Sequence, residues 1–355
     1  MRLTSPALAL ALGPACIIAD GDTGTIDAAA QQQADIDAYE ALQDELMANA
    51  TVVVPLGGSV VEMQTSPSRL WYARFVDWDP DLYNLDAATS QITGCGRIAG
   101  SGDAPNFRAS DQMSAVAVGT QGDIELYSAD ACDLLATVDL PPPTSGLRWW
   151  AYAVDGDALY AVVETADAHT VWRWRGGALT ELGTLEGAGY AVGEFWDFGV
   201  EGDTLLYLES GRLYVLDLDA WAATWVEHDQ QVTGSVSWDS THVLFVAANG
   251  AFVWDRVTAA KLDLGATVNA LPDRNNTYTD LEDYNGGDAT LDDGVVYYES
   301  GRGLMAYDLD AGVITPLVLE ERDLSLVWYQ PVVAGGVVFA RSYGDFDSDI
   351  WRLTP

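Results

Sequence analysis

The chain has almost no lysine. Lys261 is the only one, and lysine and arginine together number 16 against 54 aspartates and glutamates. The resulting net charge of −38 repels phosphate backbones and excludes nucleic acid as a partner. It also repels anionic headgroups, so membrane contact has to come through an anchor. Histidine is scarce too: His169, His228 and His242 stand far apart, none at metal-ligand spacing from another. The G-x-S-x-G elbow, the H-E-x-x-H pair and the phosphate-binding glycine loop are missing, so no motif for catalysis stands out. No stretch reaches the ~18 apolar residues of a transmembrane helix.

Cysteine is limited to Cys16, Cys95 and Cys132. The first closes a targeting pattern in MRLTSPALALALGPA, residues 1–15. Arg2 is a short positive start, Ala7 to Leu12 an apolar run, and Gly13, Pro14 and Ala15 a small-residue site. The layout resembles a bacterial lipoprotein signal, which implies lipidation of Cys16; ordinary signal cleavage shares the same pattern. With Cys16 acylated, an even pair remains, as an oxidising compartment favours. A Cys95–Cys132 disulfide is therefore expected, with two buried thiols as the alternative. The repeat register described below opposes the bond. Taking Asp130 as equivalent to Asp86 puts the two cysteines seven strand residues apart in height, roughly 23 Å, far beyond disulfide reach. Only an early reversal at Gly94 and Gly96 would bring them together.

What the chain does have is 49% hydrophobic residues, enough for a large core, arranged in two patterns. Residues 16–50 form a tether followed by a spacer helix. From Asp27 to Met47 the composition favours helix, with Ile36, Tyr39, Leu42 and Leu46 as its apolar stripe. From residue 51 onward, short alternating strands take over. One strand type recurs at positions 82, 124, 171, 213, 252, 304 and 350: LYNLD, IELY, VWRW, LYVLD, FVWD, LMAYD and IWRL. A second type precedes each by one hairpin, at 70, 115, 159, 205, 243, 295 and 337. Asp155-Gly156, Glu201-Gly202, Asp293-Gly294 and Gly335-Gly336 supply tight turns before several of these. Two matched series of seven, at blade-like spacing, predict an all-β fold, a single propeller of about seven four-stranded blades over 51–355. The last copy leaves no room for an outermost strand. The isolated strand 51–56 is expected to fill that place and close the ring. One compact ring suggests a monomer.

The units LYNLDAATSQI, GRLYVLDLDA and GLMAYDLDAGVITPL resemble exported quinoprotein-like and Tol-associated propeller repeats of bacteria. The resemblance lies in structural positions. It implies fold and export, not quinone chemistry.

Three features are candidates for function. Asp77, Asp79 and Asp81, and likewise Asp345, Asp347 and Asp349, form D-x-D-x-D in equivalent hairpins of the first and last blades. Calcium takes several oxygen ligands from such spacing, although acidic solvated turns give the same pattern. Trp150, Trp196 and Trp328 lie near innermost strands, where they fill inter-blade space or form platforms for a sugar or peptide, with Glu194 and Asp197 beside them. The long connection 266–288 brings Tyr284 to the same face. The leading expectation is a non-catalytic surface or periplasmic lipoprotein binding a protein, peptide or glycan. The alternative is an exported hydrolase or lyase using Asp/Glu carboxylates in the central funnel, with calcium as its possible cofactor.

Overall fold

A computed structural model describes residues 28–54, 60–76, 79–97, 107–118, 123–141, 151–165, 168–185, 198–209, 211–226, 229, 231–269, 284–301, 303–320, 327–344 and 347–354. They form seven four-stranded antiparallel sheets, each a blade of one β-propeller. The innermost strands of blades 1 to 7 are Val60–Thr65, Phe107–Ala109, Ala151–Asp155, Phe198–Glu201, Val232–Trp238, Tyr284–Asp292 and Val327–Ala334. Neighbouring innermost strands touch around the axis, as those of blades 6 and 7 and of blades 7 and 1 do.

The two recurrent strand types are the second and third strands of each blade. Arg69–Val76 pairs with Asp79–Asp86 in blade 1, and Val337–Gly344 with Asp347–Leu353 in blade 7. These central strands meet neighbouring blades on both faces. They therefore bury consecutive residues, such as Leu70, Trp71, Tyr72 and Ala73, rather than alternate ones. The core is accordingly divided into slabs, one per blade junction. Between blades 2 and 3, for example, Ile124 and Leu126 pack against Tyr152, Leu159 and Ala161.

The Asp that closes the third strand sets the next turn. Asp86, Asp217, Asp255 and Asp308 each accept backbone N–H groups from the residues that follow, at 2.7–3.0 Å. The residue four further on then takes positive φ: Ser90 (58°), Trp221 (51°), Ala259 (57°) and Gly312 (64°). In blade 2 this position is Cys132 (φ 56°), so Ser128 stands where these four blades have Asp.

Ring closure uses the N-terminal strand. Ala50–Val54 pairs antiparallel with Asp347–Leu353, from Ala50 opposite Leu353 to Val54 opposite Ile350; residues 55 and 56 lie outside the described residues. Blade 7 thus takes its outermost strand from one end of the chain and its other three from the opposite end. Just before this strand, helix α1 (Ala28–Met47) lies against the outermost strand of blade 6, Val313–Leu319. Ile36 and Tyr39 are buried, and the Tyr39 hydroxyl donates to the Glu320 carbonyl at 2.7 Å. Helix α2 (Leu264–Val268) follows blade 5, and blade 6 begins at Tyr284. Both ends of the expected 266–288 connection are therefore regular structure. No described helix is long and apolar enough to cross a membrane.

Cys95 and Cys132 are joined by a disulfide between blades 1 and 2, with Cα atoms 4.7 Å apart. The height argument against such a bond rested on a wrong alignment. Asp86 corresponds to Ser128 and Ser90 to Cys132, so five residues, not seven, separate the cysteines in register. Gly94 pairs with Tyr83 and Gly96 with Leu82, which makes Cys95 the extra residue of a bulge. The blade 2 turn also sits high against blade 1: Asn84 Nδ2 donates to Ala129 O at 3.0 Å and to Cys132 Sγ at 3.5 Å. Bulge and stagger together close the gap.

Candidate functional site

Two ends of the ring are distinct. At one end lie the hairpins between first and second strands, and these are bound to one another. Asp155 Oδ2 accepts from Gly202 N (3.1 Å), Asp239 Oδ2 from Gly294 N (2.9 Å), and Ser110 Oγ donates to Gly156 O (2.7 Å). Each contact ties one blade to the next. Asp239 also accepts from Thr241 N and His242 N, and these N–H bonds hold its carboxyl below the usual range against the penalty of burial. His242 is occupied there with Thr241 Oγ1, at 2.8 Å. These polar groups serve the turns.

The opposite end, where innermost strands begin, is less regular. The innermost strand of blade 6 shifts register between Tyr284 and Ala289, and that of blade 7 between Tyr329 and Val332. Gln330 lies in the second irregularity with φ 54°, directly before Pro331. The other five non-glycine residues with positive φ among the described residues stand in hairpin turns. Gln330 alone adopts it inside a strand, where a following proline further narrows the allowed backbone. Such a conformation costs about 1–3 kcal/mol and persists where surrounding contacts impose it.

Those contacts assemble a polar cluster from three blades. Gln330 N donates to Glu299 Oε1 (3.2 Å), on the second strand of blade 6, Val295–Ser300. Asp288 N donates to the same carboxylate. The Gln330 side-chain oxygen accepts from Arg341 Nη1 (2.9 Å), on the second strand of blade 7. Arg341 Nη2 donates to the carbonyl of Val60, the first residue of blade 1, and its guanidinium lies 4.7 Å from the Tyr329 ring centre. Arg341 Nε is buried with no acceptor. Half-burial and the nearby Asp288 carboxylate push Glu299 up to about 7, against the lowering effect of the two N–H donors. Partial desolvation likewise raises Asp288, with Arg341 pulling the other way. Burial lowers Arg341. One carboxyl near neutrality, a second carboxylate, and a cation on an aromatic ring can bind a polar ligand or exchange a proton with it.

Sequence reasoning missed this cluster. The signal that pointed to it was Pro331 inside an otherwise continuous strand, VWYQPVVA, since proline within a sheet marks an edge or a bulge.

The expected site residues fall out as follows. Cys16, Asp77, Trp150, Glu194, Trp196, Asp197 and Asp345 lie outside the described residues. Tyr284 begins the innermost strand of blade 6. Trp328 is not a platform: it is 2% exposed, packed between blades 6 and 7 and edge-on to Trp351 at 5.2 Å. The space between adjacent sheets takes a large aromatic, and Trp328 fills it. The aspartate series are not confined to hairpin turns. Asp79 and Asp81 are strand residues of blade 1, and Asp347 and Asp349 of blade 7. Asp81 Oδ2 accepts from the Tyr83 hydroxyl at 3.3 Å. Among the described residues no three His, Cys, Asp or Glu side chains converge to hold a metal.

No protein-family model matches the chain, and no curated protein matches it in sequence. Solved structures do match in fold. U3-55K aligns over 87% of this chain and 99% of its own, with 14% identity and TM-score 0.54. An oligogalacturonate lyase in complex with manganese covers 86% and 92%, with 10% identity and TM-score 0.53. YCF48 bound to D1 peptide covers 86% and 96%, with 10% identity and TM-score 0.53. At these identities the likeness is one of fold.

Proposed function

We propose that the chain is an exported propeller lipoprotein, anchored through Cys16, that binds a ligand at the mouth formed by blades 6, 7 and 1. The left-handed Gln330 within a strand carries this reading. At that point the Gln330 main chain meets Glu299 and its side chain meets Arg341. The propeller is a rigid scaffold that presents such groups from several blades at once, as binding sites require. Export is supported by the signal-like residues 1–15 and by the Cys95–Cys132 bond, which belongs to an oxidising compartment. The ligand classes that fit an exported binder are a protein, peptide or glycan. The experiment is a peptide and glycan array probed with the full chain and with Asp288→Asn. Ligands retained by the wild type and lost by the variant support the site. Binding indifferent to Asp288 overturns it.

A second reading is a hydrolase or lyase that uses Asp288 and Glu299 as a carboxyl pair. The raised Glu299 favours it, because a carboxyl titrating near 7 suits acid–base work. Turnover of any oligosaccharide in a panel, abolished by Glu299→Gln, would establish it. Binding without turnover returns the first reading.

A further inference from the structure

We infer that the blade 6–7–1 cluster takes a small amine–carboxylate zwitterion, its carboxylate on Arg341 and its ammonium beside Asp288 and Glu299. This rests on the binding reading above and names the chemistry of the ligand for that site.

The argument starts from Arg341. The chain has 54 acidic residues to 16 basic ones, so a carboxylate partner for any arginine is abundant. Arg69 and Arg175 have theirs, Asp130 at 2.6 Å and Asp157 at 2.8 Å. Arg341 is partly buried, yet no described carboxylate lies within ion-pair distance of it. Its contacts are an amide oxygen, a main-chain carbonyl and Tyr329, which it meets through the ring face and through a side-chain hydrogen bond. All three are neutral. They fix the plane of the guanidinium without cancelling its charge, and Nε remains without an acceptor. Removing a cation from water costs several kcal/mol unless an anion compensates. A ligand carboxylate supplies that anion, and the planar fork of arginine suits it.

The rest of the ligand follows from the surroundings. A simple anion approaching a chain of charge −38 is repelled at long range. A simple cation has dozens of carboxylates to choose from and no use for Arg341. A zwitterion meets no net repulsion and satisfies both signs. Asp288 is exposed on the innermost strand of blade 6 and acts on Arg341 electrostatically without forming an ion pair with it. Glu299 stands on the same side, held by N–H groups from both blades.

The site also has a proton to give up. Burial raises Glu299 to about 7, and an ammonium placed beside it favours the ionised form. Binding then releases a proton, which no purely structural role of Glu299 would produce.

The test uses the full chain and three probes of increasing length: glycine, β-alanine and 4-aminobutanoate. Butanoate and butylammonium carry one charge each. Titration calorimetry is run at pH 7 in two buffers of different ionisation enthalpy. The expected result is saturable binding of at least one zwitterion, about tenfold or more tighter than either single-charge control, with proton release. Asp288→Asn, which loses no described side-chain hydrogen bond, is expected to weaken it by about tenfold, the worth of one charge-assisted contact. Arg341→Gln should weaken it at least as much. Equal binding of zwitterion and single-charge controls, or binding unchanged in Asp288→Asn, overturns the inference. If no zwitterion binds but array ligands still depend on Asp288, the ligand class is wrong and the site stands. If array ligands also ignore Asp288, the site itself is wrong.

Discussion

Removing the Cys95–Cys132 bond should lower the melting temperature by about 6 °C. The bond closes a loop with a sequence separation of 37 residues. In the chain-entropy account a loop of that length restricts the unfolded state by about 3.8 kcal/mol at 25 °C. Unfolding of a propeller spanning about 300 residues carries an entropy of roughly 0.6 kcal/mol per kelvin, which converts the loss to about 6 °C. The perturbation is Cys95→Ala with Cys132→Ala. Alanine is tolerable at 132 despite φ 56°, because Ala259 occupies the equivalent turn of blade 5 at φ 57°. Calorimetry compares the wild type, the wild type in reductant and the double variant. The last two should melt together, about 6 °C below the first. Reductant that leaves the wild-type melting temperature unchanged would refute the reasoning, as would two free thiols in the unfolded, unreduced protein.

Glu299 has a pH signature of known sign. Its carboxyl is raised from 4.5 to about 7 on folding, so the native state holds more protons between those values. Stability should therefore fall as pH rises from 4.5 to 7 and level off above, and Glu299→Gln should flatten that slope; a wild-type slope retained in the variant would assign it to other groups. Gly303→Ala should cost more than about 2 kcal/mol, because its Cβ would meet Val318 O at 2.1 Å in a backbone of φ 153°; a melting temperature within a degree of wild type would contradict this. Truncation to residue 55 strips the outermost strand from blade 7 and uncovers the edge of Asp347–Leu353, so light scattering should show association, whereas a stable monomer would mean that the ring closes without it. Expression in a Gram-negative host should yield an acylated N-terminus at Cys16, which mass spectrometry reads directly; an unmodified N-terminus would remove the anchor.

What the chain revealed as a string of letters, and what it hid, follows from burial. The second and third strands of every blade are covered on both sides, and runs such as LWYA, VLFV and VVFA carry that in their composition. Innermost and outermost strands vary in length, from three residues at Phe107–Ala109 to nine at Tyr284–Asp292, so they left no repeat. The blade 2 register slipped because Ser128 replaces the usual Asp while Asp130 stands two residues away as a decoy. Trp328 stayed ambiguous between packing and platform because a tryptophan reads the same whether it fills the gap between sheets or faces solvent. The Glu299–Arg341 cluster draws its residues from three blades, and no linear spacing records such a meeting.

The closing strand also has a consequence in time. Ala50 is made about 300 residues before its partner Leu353. A ribosome adding roughly 5–20 residues per second therefore holds the ring open for some tens of seconds. During that interval Val52 and Val54 have no strand to pair with, and the mouth built on Val60, Gln330 and Arg341 does not exist. A ring whose closing strands are made so far apart stays threadable until Asp347–Leu353 emerges, and only then closes in a single step.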